Sequence, residues 1–415
     1  MRNYWFILIC LFCDIAFSQS TSIDYLIVAG GGGGASGGGG GGGVLHATNY
    51  SIPVNSNITI TVGAGGSSGS GGSGSSGANV GGNGGNSSIS SAYGTITAIG
   101  GGGGGNSAVN GGKGADGGSG GGGSYDRPSV AYSAGTAGQG NRGGRSDRAG
   151  YGAGGGGGGA GAAGSNAPTT HLGGPGGDGI QSTISGNNSY YGGGGGGGVN
   201  HNCNCSVNNG GGQGGQGGGG NGSSLGYGNG NYNNGTAGNP NTGGGGGGTD
   251  PESTTANGGG SGIVIIRYLG TPKATGGNIT EVDGSTIHTF TSIGNTLFNY
   301  RGNPEIQRTQ ISINNSIVSV TFSEAVYGGT ANATSTLEVS DFTLNMSGGS
   351  ASLTSATPSS INVSGTTIGL GVPLTGTPDG SELLTVLPAS NNSIFNVSGD
   401  TVSTTQTSNT TELIP

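Results

Sequence analysis

The residues most able to bind a metal ion are grouped in one short stretch, residues 201–205, which reads His-Asn-Cys-Asn-Cys. A zinc site needs four ligands and usually has two residues between its cysteines. This stretch offers three, and His171 is the only other histidine between residues 100 and 260. A disulfide between Cys203 and Cys205, a bridge to a partner chain and an ordinary exposed loop stay open. The sequence therefore predicts neither a metal site nor a cofactor.

The nucleophiles and acids of the chain do not form an enzyme's pattern. The four histidines are scattered, and no serine occupies a G-x-S-x-G elbow between a strand and a helix. No glycine run is followed by the Lys-Ser or Lys-Thr pair of a phosphate-binding loop. The acidic residues after residue 270 are spread over separate turns. We therefore predict a protein without catalytic residues.

Tyrosines that interrupt the glycine-rich sequence are the candidate ligand-binding residues. They occur among many asparagines and serines, and this mixture is typical of adaptable binding loops. Since only glycine fits inside a packed glycine lattice, we expect these side chains in loops at the ends of its helices. The alternative is that the tyrosines only cap the lattice with apolar area. The candidates are Tyr125, Tyr132, Tyr190, Tyr191, Tyr227 and Tyr232.

The first eighteen residues indicate export. Arg2 precedes a short apolar run over residues 4–12, and a small-residue site follows at residues 16–18. This is the pattern of a signal peptide, here residues 1–18, and the run is too short to span a bilayer. No later run approaches 18 apolar residues, so we predict a secreted or cell-surface protein without a transmembrane segment.

Glycine dominates the composition: 109 of the 415 residues are glycine, and charged residues make up only 7%. The net charge of −8 leaves no basic surface to neutralise the phosphates of a nucleic acid. The expected partner is an extracellular glycan or protein surface, and self-association is left open.

Uninterrupted glycine runs organise residues 21–270. They exclude collagen, which needs glycine only at every third position, and they fit extended threefold helices that bond to one another in a bundle. Segments that read as strands enter and leave the runs, notably residues 25–29 and 262–269. A flexible linker would lack such segments, so we favour an ordered bundle over a disordered chain. The runs lie at residues 30–34, 37–43, 100–105, 154–159, 192–198 and 243–248.

The two ends of this region resemble the bacterial and phage glycine-rich domain family. Residues 25–34 (Tyr-Leu-Ile-Val-Ala followed by five glycines) and residues 259–268 (Gly-Gly-Ser-Gly-Ile-Val-Ile-Ile-Arg-Tyr) carry the resemblance. Similar glycine-run architecture occurs in phage tail-fibre adhesins and in the glycine-rich region of anaplastic lymphoma kinase receptors. The resemblance implies polyglycine II helices inserted in a small β-sandwich and an adhesive or ligand-binding role.

Residues 271–305 read as a linker with one hairpin at residues 276–291, whose turn is Asp283-Gly284. The hairpin resembles the opening strands of the same family, and we expect it to pair with residues 25–29 or with the sheet edge of a second copy. Residues 306–402 alternate apolar and polar side chains and are similar to bacterial Ig-like β-sandwiches. Residues 403–415 are rich in threonine and serine and should form a mobile tail.

The sequence therefore predicts an all-β fold: a polyglycine II bundle inserted in a β-sandwich, followed by an Ig-like β-sandwich. The expected function is adhesion or recognition. A structural matrix or appendage subunit without a specific ligand is the first alternative. An ice-binding protein is the second, although the regular Gly-x-x repeat typical of such proteins is not evident.

Overall fold

The computed structural model describes residues 20–69, 79–106, 110–125, 132–146, 152–169, 171–200, 210–225, 232–250, 257–329 and 335–415. The chain divides into two compact units, and the boundary between them lies between Arg301 and Gly302. In the described ranges the regular elements are antiparallel strands and two single 3-10 turns, so the fold is all-β as predicted. The expected signal peptide, residues 1–18, lies outside these ranges.

The described residues of the first unit form fourteen strands. They are β1 (Ser20–Val28), β2 (Val44–Pro53), β3 (Asn57–Val62), β4 (Ser87–Ser91), β5 (Gly94–Ala98), β6 (Ile180–Ser182), β7 (Ser189–Tyr191), β8 (Ser224–Leu225), β9 (Tyr232–Asn233), β10 (Ile263–Leu269), β11 (Ala274–Thr275), β12 (Asn278–Val282), β13 (Ser285–Phe290) and β14 (Gly294–Tyr300).

Two five-stranded sheets of this unit share one hydrophobic core. The first sheet has the order β12-β13-β10-β1-β2, and the second has the order β11-β14-β3-β4-β5. Alternate residues of the inner strands, such as Ile27 and Ile266 of the first sheet and Ile60 and Phe298 of the second, are fully buried in that core. This is the period-two pattern of strands with one face on the core.

The central strands β1 and β10 are buried on both faces, which explains why they read as continuous apolar runs. Their second face, which includes Leu26 and Ile265, packs against Ala160 and Tyr191 of the glycine-rich region. The bundle is therefore attached to the sandwich by side chains as well as by the polypeptide chain.

Residues 271–305 are not a linker. Strands β11 to β14 supply edge and inner positions to both sheets, and the first unit continues to Arg301 and not to residue 270. The hairpin pairs within its own chain, with β13 on β10 from Val264 to Leu269. It does not pair with residues 25–29, because β2 and β10 already occupy both edges of β1.

Segment 37–43 shows how the glycine runs pack. Its amide groups donate in turn to three neighbouring segments, and every third residue donates to the same neighbour, at N–O distances of 2.8–3.1 Å. A three-residue period is that of the extended threefold helix. Three further segments, 30–34, 118–123 and 192–198, donate to its carbonyl groups. The pairs of donors are Gly37 and Gly40 to segment 100–105, Gly38 and Gly41 to segment 154–159, and Gly39 and Gly42 to segment 243–248.

The second unit, from Gly302, is a smaller all-β unit with one core. Its described strands are β15 (Ile306–Ile311), β16 (Ile317–Phe322), β17 (Tyr327–Gly328), β18 (Phe342–Ser347), β19 (Ser352–Leu353), β20 (Ile361–Ser364), β21 (Thr367–Gly371), β22 (Leu374–Thr375), β23 (Leu383–Pro388), β24 (Ile394–Phe395) and β25 (Thr410–Glu412). They form a four-stranded sheet, β15-β16-β21-β20, a three-stranded sheet, β18-β23-β25, and two two-stranded ribbons, β17-β24 and β19-β22.

Residues 403–415 are not a free tail. Strand β25 pairs with β23, and Leu413 is buried in the core of the second unit. Asn315 fixes the end of the chain, since its side chain bonds to both the backbone N–H and the carbonyl of Ile414. One apolar side chain and one added strand are therefore enough to order a segment whose composition is typical of a tail.

Candidate functional site

Peripheral segments of the glycine bundle carry outward side chains at a spacing of three residues. In segment 173–178, Pro175 and Asp178 are exposed whereas Gly174 and Gly177 are buried. Because a threefold helix brings residues i and i+3 to the same side, these side chains form a row along the helix axis, about 9 Å apart at a rise of about 3.1 Å per residue.

Four such segments lie side by side, because hydrogen bonds join them in succession: Gly164 N–H to the Arg142 carbonyl, Ser165 N–H to Pro175, and Gly176 N–H to Gln213. We call their outward residues the outer ladder. In chain order they are Arg142 and Arg145, Ala163 and Asn166, Pro175 and Asp178, and Gln213 and Gln216.

Polar side chains at the periphery also complete the backbone bonding of the bundle. Asn86 and Asn83 accept the N–H groups of Gly100 and Gly103 at 2.9 and 3.0 Å. The side chains of Asn166 and Asp178 likewise accept the backbone N–H groups of Arg145 and Gln216. These side chains take the place of a further glycine helix at positions where the lattice ends.

The sequence contains a signal for these segments that our reading missed. Residues 81–86 read Gly-Gly-Asn-Gly-Gly-Asn, residues 173–178 read Gly-Gly-Pro-Gly-Gly-Asp, and residues 211–216 read Gly-Gly-Gln-Gly-Gly-Gln. Each is a pair of Gly-Gly-x triplets. The expectation that the regular Gly-x-x repeat is missing is therefore wrong, because the repeat is present in short form, at the periphery and not in the long runs.

The structure separates the six tyrosine candidates. Tyr125 is fully buried and Tyr191 packs in the apolar cluster behind the first sheet, so neither presents a ring to a ligand. Tyr190 is 38% exposed, and Tyr132 is partly exposed. Tyr227 lies outside the described residues, and of Tyr232 only the backbone, in β9, is described. The expected ligand-binding role does not fit the two buried rings, and the apolar contacts of Tyr191 agree with the alternative that tyrosines add apolar area to the lattice.

Tyr132 lies against the outer ladder. The guanidinium carbons of Arg142 and Arg145 lie 3.8 and 4.0 Å from the centre of its ring. Arg145 Nη2 also donates to the Tyr132 hydroxyl at 2.9 Å. Side-chain hydrogen bonds from Asn166 and then from Arg145 lower the pKa of the Tyr132 hydroxyl. Four polar side chains thus form one connected group, which we call the arginine–tyrosine cluster: Tyr132, Arg142, Arg145 and Asn166.

Other expected chemistry falls mostly outside the described ranges. His201, Cys203 and Cys205 belong to a stretch that the structure does not describe. Among the residues that it does describe, no three histidine, cysteine or acidic side chains stand together as metal ligands would. Within the same ranges there is no helix with the length and apolar character needed to cross a membrane.

Comparison with known proteins bears on the first unit alone. The sequence model of the glycine-rich domain family matches residues 14–269, which is more than half of the chain and covers the sandwich strands up to β10 together with the whole bundle. No curated protein and no solved structure matches. The interleaved glycine helices, the two strands that bracket them and the family match agree, and the chain belongs to the glycine-rich domain family.

Proposed function

We propose that the protein is exported and acts in adhesion or recognition at a cell surface, with the outer ladder as its binding face. The observation that carries this proposal is the ladder itself, in which a rigid backbone lattice holds exposed side chains of different chemistry at fixed spacing. The second unit, with its Ig-like strand pattern, serves as a spacer in this proposal.

Rigidity supports a binding role. Each ladder residue is placed by backbone hydrogen bonds on both sides of its helix, as in segment 173–178, where the N–H groups of Gly174 and Gly177 bond to segment 154–159. A surface that is ordered before binding loses less conformational freedom when a ligand arrives. Glycans are bound by such faces through many weak polar contacts, for which amide side chains such as Gln213 and Gln216 are suited.

The test is binding of the purified protein to an array of glycans and extracellular proteins. We expect the double variant Gln213→Ala with Gln216→Ala to weaken binding to whichever surface the protein recognises, with an unchanged melting temperature. The matched control is Gln307→Ala with Gln310→Ala, two exposed glutamines of β15 in the second unit. Equal binding by both double variants would contradict a role for the ladder.

A structural matrix or appendage subunit is the alternative function. It predicts no ligand on the array and concentration-dependent assembly of the purified protein, which light scattering detects.

An ice-binding role is favoured by one observation, the Gly-Gly-x triplets that build the ladder. Ice recrystallisation at micromolar protein measures it. Against it, the ladder carries long charged side chains, Arg142 and Arg145, which make a flat face of uniform chemistry unattainable.

A further inference from the structure

Positive charge is concentrated in one part of this acidic chain. Residues 113–148 contain five of the ten basic residues and three of the eighteen acidic ones, so this stretch carries a net charge of +2 whereas the chain carries −8. Arg142 and Arg145 of the arginine–tyrosine cluster belong to it.

The geometry fixes both guanidinium groups before any ligand binds. They stand three residues apart on one face of segment 141–146, and both lie within 4.0 Å of the centre of the Tyr132 ring. Cation–π contacts of this kind are worth about 0.5–1 kcal/mol at exposed sites, and they restrict side chains that otherwise lose much rotamer freedom on binding.

Two like charges at one ring repel each other, so the arrangement favours a negative group near them. Arg142 is exposed and makes no ion pair with any residue that the structure describes. The carboxylate of Asp116, in the same basic stretch, is paired with Lys113 at 2.9 Å and also accepts the N–H of Ala134.

Because the ring of Tyr132 is covered by guanidinium groups, it is not a platform for stacking a sugar or a nucleobase. Its role is to position the two arginines. Along the ladder, Asn166 lies in the segment next to the arginines, Pro175 and Asp178 lie in the segment after that, and Gln213 and Gln216 follow in the last one. The amides of Asn166, Gln213 and Gln216 bond to hydroxyl groups as donors and acceptors.

We propose that the arginine–tyrosine cluster binds the sulfate or carboxylate groups of an acidic polysaccharide. This inference rests on the proposed recognition function and names its ligand class. A guanidinium group makes paired hydrogen bonds to either anion, and the hydroxyl groups of the polysaccharide lie along the amides of the ladder. Nucleic acid is disfavoured, because its dense negative charge is repelled by a chain whose net charge is −8.

The experiment measures binding of the full chain to three immobilised polymers, dextran sulfate, polygalacturonate and uncharged dextran, at several salt concentrations. We expect binding to one or both acidic polymers, which identifies sulfate or carboxylate as the preferred group, and none to dextran. The double variant Arg142→Gln with Arg145→Gln should lose on the order of tenfold in affinity. Arg142→Lys, which keeps the charge but not the planar fork, should lose less.

The control for loss of an arginine elsewhere in the chain is Arg308→Gln in β15, an exposed arginine of the second unit, which should bind as the unaltered chain does. Unaltered melting temperatures exclude unfolding as the cause of any loss. Equal affinity of the double variant and the unaltered chain would overturn the assignment to this cluster. Equal affinity for duplex DNA and for the acidic polymers at the same salt would overturn the assignment to a polysaccharide.

The outcomes distinguish this inference from the proposed function. Binding to a neutral glycan or a protein on the array, with none to either acidic polymer, contradicts the inference and leaves the recognition role standing. The absence of binding to any of these surfaces contradicts both.

Discussion

At the scale of single residues, the bundle depends on the absence of a side chain. A Cβ atom added to Gly39, inside segment 37–43, would overlap the carbonyl oxygen of Gly32, and similar overlaps occur at most interior glycines. The conformation itself is not the main constraint, because few of these glycines have positive φ values. Close approach of neighbouring backbones is what demands glycine.

Two adjacent glycines test this explanation. Gly122→Ala places a Cβ atom on the carbonyl oxygen of Gly155, whereas Gly123→Ala meets its nearest atom, the Ser146 nitrogen, at 3.4 Å. We expect the first change to lower the free energy of unfolding by about 1–3 kcal/mol or more. The second should be neutral or stabilising by up to about 1 kcal/mol, because alanine restricts the unfolded chain. Thermal and urea unfolding of both variants measure the difference, and equal stabilities would contradict close backbone packing.

A buried histidine gives the first unit a dependence on pH. His288 is fully buried between the sheets; its Nδ1–H donates to the Gly276 carbonyl at 2.7 Å, and its Nε2 accepts from the Tyr268 hydroxyl at 3.0 Å. The Tyr268 oxygen also accepts the N–H groups of Lys273 and Ala274. Protonation of His288 would therefore place a second N–H donor, at Nε2, against the Tyr268 hydroxyl. The oxygen of that hydroxyl already accepts two hydrogen bonds and has no lone pair left for a third.

Burial lowers the pKa of His288. A lowered pKa in the folded state means that the unfolded chain binds the proton more tightly, so stability is complete above the ordinary value of about 6.5. This contribution to stability is lost as the pH falls from about 6.5 through the lowered pKa of His288. We expect the melting temperature of the first unit to fall between pH 7 and pH 5, and the slope to shrink in His288→Gln. The exposed His46 provides the control, since His46→Gln should keep the full slope.

At the scale of elements, the sequence and the structure agree where the periodic pattern is long. Strands β1, β3 and β10 were readable from apolar runs or alternation, and the long glycine runs from their composition. The peripheral segments were harder to find, because a Gly-Gly-x triplet also occurs in flexible sequence and its neighbours are distant in the chain. The sequence predicts β13 as half of a hairpin, but it does not predict which other strand β13 pairs with. That strand is β10, because β2 and β10 occupy both edges of β1 and the second edge of β10 stays open for β13.

The residues of the candidate site were also less predictable from the sequence, because their neighbours in the bundle are distant in the chain. Composition indicates tyrosine, asparagine and serine as surface residues, but Tyr125 and Tyr191 are buried in the assembled bundle, which composition does not predict. The overall charge gives no signal for Arg142 and Arg145. Their three-residue spacing acquires meaning only on a threefold helix.

The edge of the bundle offers a test at the same scale. Asn83 and Asn86 accept the N–H groups of Gly103 and Gly100, so removing both amides leaves two partly buried donors without these bonds. We expect Asn83→Ala with Asn86→Ala to cost about 1–3 kcal/mol in total, at about 0.5–1.5 kcal/mol for each bond. Gln213→Ala, on an equally exposed ladder position, should cost little. The result to compare is the urea midpoint of each variant, and similar midpoints would argue against the amides as lattice ends.

At the scale of the whole first unit, the sandwich closes the bundle. Segment 29–43 leaves the sheet after β1 and returns at β2, and the last glycine segment returns at β10. Glycine loses more conformational freedom on folding than any other residue, so a bundle without these fixed ends would have to order every segment separately. The apolar cores of the sheets supply the stability that glycine segments lack.

The hairpin of β12 and β13 covers an edge of this sandwich. Deletion of residues 276–291 would expose the N–H and C=O groups of β10, which now pair with β13. Exposed strand edges pair with other chains, so we expect the deletion variant to self-associate while the intact protein stays monomeric at the same concentration. Light scattering after size-exclusion chromatography measures the mass of both. Chains formed by the intact protein would show that its hairpin can leave its own sheet.

The three-residue period of the bundle also defines which insertions and deletions the gene can tolerate. Loss of one codon within a peripheral segment rotates every later residue by a third of a turn, so that an asparagine or arginine replaces glycine at a position without room for a side chain. Loss of three codons restores the register and shortens the helix by one rung. Length variation among such bundles should therefore accumulate in multiples of three residues, a rule that the loops between segments need not obey.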